Sequence, residues 1–290
     1  MKFWDMLFNM GLFLLWFRFW NRPGRTAYFN PFVGVVERAG YSVVGFVRSA
    51  FPFLPDLTAA LLAFLFLLAF RAVLFLYLVG TYSAEWHLGF GIVGQGLPSV
   101  VSRTFGGYFF LSLLSFGVFL FYIGSLSLIY VRPGQGTSMG HPEEALAAYA
   151  SPLTRLRPEF RPFTLLASGM ALTLALVAIS PLSFGMFLGG PFVATVKLTV
   201  SAMLGWVASL HILLMLVMGL IIGSWVSMFS GSMGLASFCR NWLDMFLGPM
   251  RRYPIRIGML DLSPIVFFLV LQLIAGLLQS VLQGVYDRLP

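Results

Sequence analysis

Charge is what this sequence has least of. Asp, Glu, Lys and Arg make up 10% of its 290 residues against 59% hydrophobic ones, and the mean hydropathy is +0.90. That is too little polar surface to coat a water-soluble globule, so the apolar side chains must face lipid or one another within lipid. Cysteine is nearly missing. Cys239 stands alone, which excludes an intramolecular disulfide framework and any multi-cysteine metal site. Histidine is scarce too, and His87 and His141 fall in loops expected on opposite sides, so no Ser-His-Asp set is identifiable. No paired acids lie inside the apolar runs, and Gly134-Gln135-Gly136 reads as a turn rather than a phosphate cradle. The sequence therefore assigns no catalytic residue, no cofactor and no metal site. A cleavable signal is not expected, because the apolar stretch 3–20 carries Asp5 and Arg18 and lacks a small-residue cleavage motif.

What is present is aromatic, and basic where it is charged. The 31 Phe and 7 Trp suit a bilayer, where rings pack in the interior and anchor at the borders. A net charge of +8 reads as loops held beside anionic lipid, with no nucleic-acid partner implied. A helix crosses the hydrocarbon with roughly 20 apolar residues. Five segments qualify: 57–80 with Arg71 inside it, 107–131, 163–188 broken late by Pro181, 195–226 and 262–286. Residues 3–20 are a sixth candidate that either spans or lies in the interface. The expected fold is an all-α, polytopic membrane protein of five or six transmembrane helices.

Basic residues set the orientation. Arg22, Arg25, Arg38 and Arg48 precede the first clear span, Arg132, Arg155, Arg157 and Arg161 separate the second and third, and Arg240, Arg251, Arg252 and Arg256 separate the fourth and fifth. The opposite side holds Arg103, Lys197 and Arg288, joined by Lys2 if 3–20 spans. The three long loops are thus expected to be cytoplasmic, against anionic lipid, and the C-terminus external.

Those loops resemble one another. Asn30-Pro31-Phe32, Ser151-Pro152-Leu153 and Gly248-Pro249-Met250 each join a small residue, a proline and an apolar residue, with basic residues after them. Each loop meets its next span through Asp56-Leu57-Thr58, Pro162-Phe163-Thr164 or Asp261-Leu262-Ser263-Pro264. Thr or Ser can cap free amides at a helix start, Asp favours its positive dipole end, and Pro fits the first turn. Amphipathic sequence adjoins each proline. Phe238, Cys239, Trp242, Leu243, Phe246 and Leu247 share one helical face opposite Arg240, Asn241 and Asp244, as for a helix in the headgroup plane. Pro142 with Glu143 and Glu144 starts a similar short helix, and in the first copy the amphipathic stretch follows Pro31. Three tandem units are expected, over 1–80, 107–188 and 195–284, the first two degenerate.

The third unit resembles the YggT family (YlmG-like) of bacterial membrane proteins. The family's proline-basic loop and Asp-Leu-Ser-Pro-Ile-Val helix start are matched here by Pro249, Arg251, Arg252, Pro254, Gly258, Asp261, Leu262, Ser263, Pro264, Ile265 and Val266. The family's usual Pro-Pro and Gly-Gly are only partly kept, and its members generally have two units at most. The resemblance implies a multi-pass protein of the bacterial inner membrane with a non-enzymatic role. In the family such roles are variously tied to osmotic tolerance, cytochrome assembly and organisation of division or nucleoid structures.

A few intramembrane polar residues invite a second reading. His211 either ligates haem or relays a proton, or is a neutral imidazole bonded to a nearby Ser or carbonyl. Arg71 either lies on an ion path or snorkels to the external interface, where Glu85 could meet it. Gln272, Gln279 and Gln283 on the last span are amides that can join membrane helices or line a pore. Met203, Met215 and Met218 are read as filler, and Cys239 as an idle or acylated thiol. Two functions follow: a scaffold, accessory or assembly subunit that associates with other membrane proteins or with itself, or a channel or transporter in osmotic or ion homeostasis.

Overall fold

The computed structural model of the chain describes residues 2–20, 30–82, 90–91, 104–131, 141–179, 190–248, 256–257, 260–261 and 263–289. They form nine α-helices: α1 (Lys2–Trp20), α2 (Pro31–Ala50), α3 (Asp56–Tyr82), α4 (Phe105–Tyr130), α5 (Pro142–Tyr149), α6 (Arg161–Ile179), α7 (Gly190–Ser230), α8 (Met233–Leu247) and α9 (Ser263–Asp287). A small antiparallel ladder, β1 (Arg256–Ile257) with β2 (Leu260–Asp261), precedes α9. Five helices, α3, α4, α6, α7 and α9, are long and apolar enough to cross a membrane.

Local chemistry sets several helix ends. Pro31 and Pro142 open α2 and α5 in the first turn, where the missing amide N–H costs nothing. The Thr104 hydroxyl accepts from the Gly107 N–H at 3.3 Å to cap α4. Gly231, with φ +66°, ends α7 in a left-handed conformation that suits glycine. Two expected caps act differently. Thr58 and Thr164 donate their hydroxyls to the carbonyls of Pro55 (2.7 Å) and Phe160 (2.9 Å). Threonine in a first turn finds a carbonyl behind it as readily as an amide ahead. Nor do the loop prolines occupy one role: Pro31 begins a helix, whereas Pro152 follows α5.

The long helices pack antiparallel in chain order. Gly117 and Gly124 of α4 approach Leu172 and Leu165 of α6, and Thr173 of α6 lies 3.4 Å from Ser201 of α7, hydroxyl to hydroxyl. Central in the bundle is α4, with 56% of its most apolar stretch buried against 6% for α9. Two of its buried hydroxyls are satisfied within the helix, Ser112 donating to Tyr108 O and Ser125 to Phe121 O, each at 2.8 Å. Phe90, from the connection between α3 and α4, is a wedge that sequence pattern does not announce. Its ring is buried against Phe121 at 4.9 Å between centroids and lies over Gly205 of α7, where a β-carbon would overlap it.

Although α1, at 19 residues, is not among the five, it runs antiparallel along α3. Arg71 pairs with Asp5 near one end of α1, and Arg18 reaches Asp56 at 2.5 Å near the other. Those anchors lie about 20 Å apart along the helix axis, so α1 lies alongside the spans and not across their ends.

The start of α2, with α5 and α8, clusters at one end of the bundle. Phe17, Phe32, Val33 and Ala145 form a small core there with Tyr149 and Trp242 at its edge.

Candidate functional site

Three constellations could carry function, and the first is closed. Arg71 is wholly buried, so the snorkelling expectation does not hold. Its guanidinium pairs with Asp5, donates to Asn9 Oδ1 at 2.8 Å and points at Ser112 O at 3.5 Å. Ser115 Oγ lies 3.1 Å from an Asp5 carboxylate oxygen, and the Asn9 amide donates to Ser115 at 3.2 Å. The physical reason is supply: α1 brings an acid and an amide to the depth of Arg71, which gains nothing by stretching to the interface. Glu85, the partner expected from sequence, lies outside the described residues, as does His87.

The second constellation joins the short helices. Asn30 is fully buried; its Oδ1 accepts from the amides of Phe32 (3.1 Å) and Val33 (3.4 Å), and its Nδ2 donates to His141 O (3.0 Å) and Glu144 (2.9 Å). One side chain thus caps α2 and holds the start of α5. The Tyr149 hydroxyl donates to Phe32 O at 2.8 Å, and burial raises its pKa well above the ordinary phenol value. The Phe32 ring meets Phe238 and Trp242 of α8 at 5.3 and 5.6 Å. The apolar face of α8 rests on protein: Cys239, Leu243, Phe246 and Leu247 are buried, the last three against Leu213, Val217 and Ile221 of α7. Burial also raises the Cys239 thiol pKa, and its sulfur lies against Gly223, which suits an unreactive thiol.

The third constellation faces outward. Val207 and Leu210 of α7 pack on Ala275 of α9, with Leu271 and Leu282 beside it. Gln272, Gln279 and Gln283 are exposed, and spacings of seven and four place them in one stripe. His211 is exposed on α7, in a stripe with Met215, Met218 and Ile222. Because α7 and α9 are antiparallel, these stripes fall on the same flank of the pair, His211 near the level of Gln272. The Gln283 amide also lies 3.3 Å from Asp287 on its own helix.

Of the loop motif, Pro249, Arg251, Arg252, Pro254 and Leu262 lie outside the described residues, and Asp261 is described only as part of β2. Ser263 is buried and opens α9, with Pro264 second in the helix. Among the described residues, no cluster of three or more His, Cys, Asp or Glu could hold a metal ion.

Five apolar helices packed in this way define a multi-pass helical membrane protein. The CCB3/YggT family model matches residues 198–282, which take in most of α7, all of α8 and most of α9. The C-terminal region is thus similar to the YggT family, as its loop and helix-start motif led us to expect. Comparisons with curated proteins and with solved structures give no match.

Proposed function

We propose that this is a non-enzymatic accessory or scaffold subunit of the bacterial inner membrane that associates with other membrane proteins through the outer flank of α7 and α9. One observation carries the reading. The least buried span presents Gln272, Gln279 and Gln283, together with His211, on a single face. An amide left in hydrocarbon without a partner costs several kcal/mol, whereas a facing helix that bonds it turns that cost into roughly 0.6–2 kcal/mol of attraction. The family match falls on the helices that carry this face. In this reading the three units are tandem copies, and their short helices form a cytoplasmic layer beside anionic lipid.

Mild-detergent co-purification tests the proposal. The triple variant Gln272→Leu, Gln279→Leu, Gln283→Leu should lose a stoichiometric membrane partner while keeping the abundance and melting of the chain. Retention of every partner would sink the idea. A channel or transporter instead requires a continuous polar route. Steady ion conductance by the isolated chain in liposomes, reduced in the glutamine variant, would favour that second reading.

A further inference from the structure

Between α4 and α6 lies a cavity of about 560 Å³, within the range of small-molecule sites. It exists because small residues face one another there: Gly117 and Gly124 on α4, Ser168, Ala171 and Ala175 on α6. The turn after α5 folds over its end and supplies Ser151 and Leu156 to the wall. Almost all of that wall is apolar. Its hydroxyls on α6 are already engaged, Thr164 with Phe160 O and Ser168 with Leu165 O. Ser151 differs. The residue is 4% exposed and lines the cavity, while its Oγ is itself covered by protein and has no hydrogen-bond partner among the described residues.

Charge at the rim narrows the choice. Arg155 and Arg157 flank Leu156 on the exposed turn, and Arg161 begins α6 just beyond, tied to the carbonyls of Leu156 and Thr154. The apolar chamber is reached from the side, where Ser168 and Ala171 are exposed, and it ends under cations. A free anion would leave the chamber empty, and a neutral chain would make no use of the charge on Arg157; the Arg155 guanidinium also donates to the carbonyl of Trp20. We infer that the cavity is a specific site for one anionic glycerophospholipid, with an acyl chain between α4 and α6 and the phosphate at Arg157 and Arg155. Cationic pockets between membrane helices recognise anionic headgroups in this way. The site is separate from the flank of α7 and α9 and does not depend on the association reading.

The full chain, purified in mild detergent, is incubated with phosphatidylglycerol or with phosphatidylcholine bearing the same chains. Bound lipid is then counted by native mass spectrometry. The expected result is one tightly held phosphatidylglycerol, not displaced by millimolar inorganic phosphate. Arg157→Gln should reduce the preference over phosphatidylcholine about fivefold, and Ala171→Phe should bring bound lipid down to the detergent background. Should Ala171→Phe fail to fold, the milder Ala171→Leu serves, and should lower the bound lipid. Displacement by inorganic phosphate alone, retention of a neutral isoprenoid instead of phospholipid, or equal lipid in native and filled-cavity chains would each overturn the assignment.

Discussion

Arg71 of α3 and Asp5 of α1 form an ion pair inside the bundle, although 66 residues separate them in sequence. The pair fixes how far α1 slides along α3, and Asn9, Ser112 and Ser115 complete its surroundings. Removing one partner leaves a buried charge with neutral neighbours, at a cost of about 3–5 kcal/mol. Asp5→Leu should therefore lower both membrane abundance and the unfolding midpoint in detergent. Asp5→Leu combined with Arg71→Met should recover most of the loss, because no charge then remains to solvate. An Asp5→Leu chain as stable as the native one would show that α1 is held by packing alone.

Tyr149→Phe keeps the ring against Phe13 and Phe17 but deletes the bond to Phe32 O. The expected cost is about 1 kcal/mol at neutral pH. Since burial raises the phenol's pKa in the folded chain, its stabilising share is complete below about pH 10, the unfolded phenol value, and falls as pH climbs above it. Melting at pH 8 and pH 11 should show a smaller alkaline loss in Tyr149→Phe than in the native chain. Equal losses would mean that the hydroxyl is not protected.

Gly205 has room for hydrogen alone beneath Phe90. Gly205→Ala should cost about 1–3 kcal/mol by forcing the ring aside. In a Phe90→Leu background the same change should cost less, giving a coupling on the order of 1 kcal/mol in a double-mutant cycle. Strict additivity would show that the ring yields freely.

Orientation is open to thiol labelling, because the native Cys239 is 3% exposed and its thiol pKa is raised. In intact cells, Arg155→Cys should resist an impermeant reagent, whereas Gly190→Cys and Arg288→Cys should react. Labelling of Arg155→Cys from outside would reverse the topology.

The five long spans were legible because twenty apolar residues in a row admit one economical solution in lipid. The face of α8 was legible too, through its helical period, but what that face meets was not: Phe246 rests on Val217 and Ile221 because α7 extends far enough to receive it. The place of α1 was hidden by its own charges. Asp5 and Arg18 argue against a span until Arg71 and Asp56 stand beside them. Phe90 could not be found at all, since a single buried ring in a connection has no period. Gln279 and Gln283 were visible as residues, but their common flank with His211 depends on how α7 and α9 are paired.

The ion pair of α1 also has a consequence for biogenesis. As the chain leaves the ribosome, Lys2–Trp20 emerges with Asp5 in its first turn and without its buried partner Arg71, and an acid drawn into lipid costs up to about 2.5–3.5 kcal/mol on insertion scales. Arg71 is synthesised 66 residues later, which at roughly 5–20 residues per second is a delay of about 3–13 seconds. During that interval α1 has reason to wait at the bilayer surface or within the insertion machinery. It can settle upright once α3 arrives, so the order in which α1 and α3 are made is not the order in which they are seated.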